Sequence, residues 1–110
     1  MSTLSTHVLD TARGRPAEGI RVTLERASGE VVIGSGITNA DGRVPELVPP
    51  SSTLAAGTYQ LRFAVAEYFA ATRRETFFPE IIVLFRMDDD GHYHVPLLLS
   101  PFGYSTYRGS

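Results

Sequence analysis

The chain has 110 residues, 43% hydrophobic and 20% charged, with ten basic and twelve acidic side chains for a net charge of -2. A chain of this length buries roughly two thirds of its unfolded surface around one core, so residues 1–110 are expected to form a single domain. The slightly acidic balance offers no broad positive field to a phosphate backbone, which argues against nucleic acid as a partner, and the absence of cysteine excludes disulfides, thiolate nucleophiles and thiolate metal sites.

Met1-Ser2-Thr3-Leu4-Ser5-Thr6-His7 lacks the basic and apolar regions of a secretory leader. No apolar run approaches the roughly 20 residues that span a bilayer, so a soluble, cytoplasmic protein with no membrane contact is expected. Leu4–Leu9 opens a first strand that places Ser5, His7 and Leu9 on one side. Thr11–Pro16 reads as a loop, because Gly14 tolerates positive φ and Pro16 lacks a ladder donor. Ile20–Arg26 alternates as a second strand, and Ser28-Gly29-Glu30 is a hairpin turn into Val31–Ile37.

Asn39-Ala40-Asp41-Gly42-Arg43 predicts a tight turn from which Arg43 projects. Val48-Pro49-Pro50-Ser51-Ser52 cannot be a central strand and reads as a surface loop. Thr58–Val65 alternates cleanly, with Tyr59, Leu61, Phe63 and Val65 on one face. Ala66–Arg73 breaks that pattern with good helix formers and predicts one helix of about two turns. Ile81–Phe85 reads as a strand buried on both faces, at a sheet or subunit contact. Asp88–Gly91 then turns the chain back into a partner strand, His92–Leu99, in which Tyr93, Val95, Leu97 and Leu99 oppose His92, His94, Pro96 and Leu98. Pro101–Tyr104 bends the chain before its end.

Few residues invite chemistry. A lone strand histidine such as His7 ordinarily hydrogen-bonds backbone, and its alternative use is as a base or ligand. His92 and His94 share a face at a spacing that lets two imidazoles meet one metal, with His7 as a conceivable third ligand. Neither a carboxylate at ligand spacing nor a His-Glu-x-x-His element accompanies them, so no metal is expected. His92, directly after the acidic turn, reads as solvated. The Asp88–Asp90 run lacks the alternate spacing and closing Glu of a calcium loop. Arg43 is either a surface arginine or an anion clamp, since a planar guanidinium matches a planar, partly anionic heterocycle. There is no nucleophile elbow and no phosphate-binding glycine loop.

Four stretches carry more in combination: Ser5-Thr6-His7-Val8-Leu9-Asp10 with Gly14-x-Pro16-Ala17, Thr38-Asn39-Ala40-Asp41-Gly42-Arg43, His92-Tyr93-His94-Val95-Pro96-Leu97-Leu98-Leu99-Ser100-Pro101, and Tyr107-Arg108-Gly109-Ser110. Over essentially the full chain they resemble the 5-hydroxyisourate hydrolases, the transthyretin-related enzymes of urate breakdown. In that family the Tyr-Arg-Gly-Ser end separates the enzyme from transthyretin proper, which implies that Gly109 and Ser110 are native and not a cloning remnant. The resemblance implies an all-β, transthyretin-like two-sheet sandwich of about eight strands with one short α-helix. It also implies a homotetramer, a dimer of dimers, with active sites in the channel between dimers.

The reaction implied is hydrolytic ring opening of 5-hydroxyisourate to 2-oxo-4-hydroxy-4-carboxy-5-ureidoimidazoline, without cofactor. By position, His7, Arg43, His94 and Ser110 match the family's catalytic set, and His7, Arg43, Tyr107, Arg108 and Gly109 its substrate-binding set. One imidazole, His7 or His94, would take a proton from water while Arg43 holds the substrate's oxygens, with Tyr107 and Ser110 completing the hydrogen bonds. A carrier of transthyretin type would want aliphatic or small residues at positions 7, 43 and 94, and an adhesive module would want flanking linkers; the polar set favours the hydrolase.

Overall fold

A computed structural model describes residues 2–49, 52, 54–88 and 90–109. Alternation makes the strands. In β1 (Ser2–Asp10) the even-numbered residues turn inward and are buried, while Thr3, Ser5, His7 and Leu9 face outward, the two-residue period of a pleated chain. The remaining strands are β2 (Arg15–Pro16), β3 (Arg21–Arg26), β4 (Val32–Ile37), β5 (Gly57–Phe63), β6 (Ile81–Met87), β7 (Gly91–Ser100) and β8 (Gly103–Thr106), with one helix, α1 (Val65–Ala71), between β5 and β6.

They form two four-stranded sheets, β2-β1-β7-β8 and β4-β3-β5-β6. Between them lies one core, in which Leu4, Val8, Tyr93, Val95, Leu97 and Leu99 of the first sheet meet Val22, Leu24, Leu61, Phe63, Ile81 and Met87 of the second. Aromatic and β-branched side chains on facing pleats give this architecture its stability. β1 runs parallel to β7, with Thr3 opposite His92, Ser5 opposite His94 and His7 opposite Pro96. The two histidine-bearing strands are thus neighbours whose outward residues share one surface.

α1 is too short to stand alone and is held by burying Val65, Tyr68 and Phe69. It ends with Arg73 in the left-handed region, φ 57°. Arg73 N–H donates to Ala70 O and Arg74 N–H to Phe69 O, the pairing that closes a Schellman cap. Arg74 then reaches the fully buried Asp10 at the end of β1: Nη2 lies 2.6 Å from Oδ2, and Tyr68 donates its hydroxyl to the same oxygen at 2.6 Å. Burial pushes the Asp10 carboxyl up, but hydrogen bonds from Arg74, Tyr68 and the Arg13 backbone outweigh it and hold the group below its ordinary value.

Three expectations need correction. Strands β2 and β8 read as loop and bend in the sequence, because Arg15–Pro16 is a two-residue edge strand, where proline is tolerated, and β8 is only four residues long. β6 and β7 are not a hairpin: β6 pairs with β5 and β7 with β1 and β8, so the acidic turn, whose Asp89 lies outside the described residues, carries the chain from one sheet to the other. Their apolar faces meet across the core and do not lie side by side. Nor is β6 buried on both faces within the chain, since Ile82 is 43% and Leu84 63% exposed on its outer side; of the sheet or subunit contact expected there, the sheet is ruled out. In the Val48–Ser52 loop, Pro50 and Ser51 lie outside the described residues. Among the described residues no helix is long and apolar enough to cross a membrane.

Candidate active site

The outward face of β1 and β7 gathers the residues singled out in the sequence. His7 stands on β1, and the 39–43 turn is folded against it. Asn39 Oδ1 accepts from the backbone N–H groups of Asp41 and Arg43, at 2.9 and 3.1 Å, an Asx arrangement made by the short side chains of Asn and Asp. Gly42 turns at φ 77° while its carbonyl accepts from Val8 N–H at 2.8 Å. A Cβ at Gly42 would meet the Val8 carbonyl oxygen at 2.3 Å, so only glycine brings the turn this close. The result is a bridge between His7 and Arg43.

The terminal segment approaches from the other side. Gly109 N–H donates to the His94 carbonyl at 2.7 Å, forming a second bridge. A Cβ on Gly109 would lie 2.5 Å from His94 Cδ2, so the backbone of the tail rests directly on the imidazole. Tyr107 and Arg108 do not turn toward His7. They line a cavity of about 210 Å³ with Val83, Phe85, Tyr93 and Val95, and the Arg108 guanidinium stacks 4.5 Å over the Tyr93 ring, a cation-π contact that pins the tail. Ser110 lies outside the described residues.

Electrostatics single out His94. Its half-buried ring is pushed below the usual histidine pKa of 6.5, first by burial and then by the charges of Arg43, His7 and His92, with a hydrogen bond from the ring to the Ser5 backbone opposing. A neutral imidazole beside a guanidinium is an arrangement suited to accepting a proton while a nearby cation holds an anion. Among the described residues no three His, Cys, Asp or Glu side chains are grouped to hold a metal ion.

Sequence reasoning missed the hydrogen-bonded set beside this histidine. His92 is exposed but not merely solvated: Thr3 Oγ1 lies 2.6 Å from its Nδ1, and Ser5 Oγ lies 3.1 Å from its Nε2 and 2.8 Å from His94 Nδ1. Period-two alternation puts Thr3, Ser5 and His7 on one face, but only the β1–β7 pairing brings that face beside His92 and His94.

The HIUase/Transthyretin family matches residues 4–109 of the chain. The chain belongs to this family. Curated relatives named 5-hydroxyisourate hydrolase include those of Deinococcus radiodurans, 46% identical over 97% of this chain and 95% of the relative, and of Mus musculus, 43% identical over 99% and 96%. Among solved structures, the 5-hydroxyisourate hydrolase of Klebsiella pneumoniae superposes with a TM-score of 0.88 at 42% identity, covering all of this chain and 94% of that one. Sea bream transthyretin in complex with thyroxine superposes with a TM-score of 0.87 at 30% identity, covering 96% and 93%. The transthyretin-like sandwich with eight strands and one short helix is therefore the fold, and identity is higher to the named hydrolases than to the thyroxine-bound transthyretin.

Proposed function

We propose that this protein hydrolyses 5-hydroxyisourate to 2-oxo-4-hydroxy-4-carboxy-5-ureidoimidazoline, using the His7–Arg43–His94 face of β1 and β7. The observation that carries the reading is the folding of the Asn39–Arg43 turn and the Gly109 backbone onto two neighbouring histidine-bearing strands, which gathers a guanidinium and two imidazoles. Full-length similarity to proteins named for this hydrolysis supports the substrate.

In this mechanism His94, neutral at pH 7, takes a proton from water as the oxygen attacks a ring carbonyl. Arg43 holds the substrate's oxygens in two parallel hydrogen bonds and stabilises the charge growing on the attacked carbonyl. As the carbon–nitrogen bond breaks, His7 supplies the proton to the departing nitrogen, and the ring opens to a carboxylate. Gly109 sets the His94 ring, Arg108 anchors the tail on Tyr93, and Ser110 completes the substrate's hydrogen bonds. No cofactor is needed, because water, base and cation suffice for a hydrolysis. The active unit is a homotetramer, a dimer of dimers, with this polar face lining the channel between dimers.

A carrier would place apolar groups against an aromatic ligand, and a guanidinium with two imidazoles is poorly suited to that task. The test is the product and its rate. Nuclear magnetic resonance of the reaction should show the carboxylated ureidoimidazoline accumulating faster than in buffer. His94→Ala should lower kcat by roughly 10²–10⁴-fold and Arg43→Ala should lower kcat/KM by roughly 10²–10³-fold. Wild-type rates in all of these variants would refute the assignment.

A further inference from the structure

We propose that Ser5 and His92 form a proton relay that fixes the ring protonation of His94 and returns its proton to solvent. It rests on His94 being the base of the hydrolysis proposed above. The parallel register puts Thr3 opposite His92 and Ser5 opposite His94, so each outward hydroxyl of β1 stands beside an outward imidazole of β7. The contacts form an unbroken series: Thr3 Oγ1 to His92 Nδ1 at 2.6 Å, His92 Nε2 to Ser5 Oγ at 3.1 Å, and Ser5 Oγ to His94 Nδ1 at 2.8 Å.

A hydroxyl between two ring nitrogens has one proton, so it donates to one ring and accepts from the other. If Ser5 donates to His92 Nε2, His94 must carry its proton on Nδ1 and donate to Ser5, which leaves His94 Nε2 with its lone pair free for water. His92 then carries its own proton on Nδ1 and donates to Thr3 Oγ1. When His94 Nε2 takes a proton from water, its Nδ1 proton passes to Ser5 Oγ as the Ser5 proton passes to His92 Nε2, and the Nδ1 proton of His92 leaves through Thr3 to solvent. Each residue in the series loses one proton as it gains one. His94 ends neutral with its proton on Nε2, and the series resets by running in reverse, a proton entering from solvent through Thr3 as Nε2 releases its own to water. Both Thr3 and His92 are exposed, so the far end of the series meets water.

The groups facing His94 from the surrounding elements are His7 and Ser5 on β1, His92 on its own strand, Arg43 on the turn and the Gly109 backbone. Arg43 and His7 bear on its charge. Only Ser5 hydrogen-bonds its Nδ1 among the described side chains.

Nitrogen-15 spectra of the imidazoles in the intact protein test this without turnover. In wild type His94 should be a single neutral tautomer protonated at Nδ1, and Ser5→Ala should shift it toward the Nε2-protonated form. Turnover supplies the second readout. His92→Gln keeps a polar group between Thr3 and Ser5 but cannot pass a proton, so kcat should fall roughly tenfold with KM unchanged, and the acid limb of the pH profile should move. A wild-type His94 tautomer in Ser5→Ala, or full kcat with an unmoved pH profile in His92→Gln, would overturn the relay. If wild type itself fails to hydrolyse the substrate while the tautomer shift is seen, the hydrolase reading fails and the hydrogen-bonded control of His94 stands.

Discussion

At Gly109 the missing side chain is what lets the tail lie on the His94 ring. Gly109→Ala must displace either the ring or the tail by more than half an ångström, since the added carbon would sit 2.5 Å from His94 Cδ2. Misplacement of a catalytic group on that scale costs of the order of 10- to 100-fold in rate. The expected result is such a loss in kcat/KM with a melting temperature close to wild type, because the tail contributes nothing to the core. His94 itself makes a prediction about pH. Its pKa is lowered from 6.5, so the neutral, base-competent form persists as pH falls through 6.5, and the acid limb of kcat/KM in the free protein should lie below that value. A limb at or above 6.5 would show that another group is the base. The sequence carried Arg43, Gly109 and both site histidines in recognisable stretches, but the tail's contact with His94 is a clash distance that no residue pattern encodes.

The parallel β1–β7 pair carries the proposed site, and the Asp10 end of that pair is held from outside it. Asp10, at the last position of β1, is locked by Arg74 and Tyr68 from the α1 region. Arg74→Ala leaves that carboxylate buried without its cation, which should destabilise the fold by about 3 kcal/mol at pH 7, read by urea unfolding. Because the carboxyl's pKa is depressed in the folded protein, its stabilising contribution is full above the unfolded value near 3.9 and is lost as pH falls through the folded value. The gap between wild type and Arg74→Ala should therefore narrow below about pH 4. Nothing local tells a solvated Arg74 from one aimed at a strand 64 residues away, whereas β5 was legible from its alternation, the helix from its break with that pattern and β6 from its apolar run. Removing residues 107–110 is the complementary test at this scale. The β7–β8 ladder ends at Thr106, so a chain stopped there should keep its far-ultraviolet circular dichroism and lose most turnover; retained turnover would place the tail outside the site.

Over the whole molecule, alternation, one continuous apolar run and a stretch of helix formers made six strands and the helix legible, while sheet membership was not. The reason is visible at the acidic turn: β6 and β7 are consecutive and both amphipathic, and a hairpin or a crossing between sheets buries the same residues. Ile82 and Leu84 stand exposed on an edge strand with a free ladder side, a combination that favours association with another chain. The proposed tetramer predicts a light-scattering mass of four times the 12.0 kDa of the chain, and Leu84→Lys should lower it. An unchanged tetramer in that variant would move the contact elsewhere, and a monomeric wild type would remove the channel from the proposal.

The decay of freshly generated 5-hydroxyisourate, followed by ultraviolet absorbance with and without the protein, bears most directly on the outward histidine–arginine face. Catalysis there predicts decay well above the spontaneous rate in proportion to protein added, reduced to near the spontaneous rate by His94→Ala. Decay that stays at the spontaneous rate with wild-type protein present would contradict it.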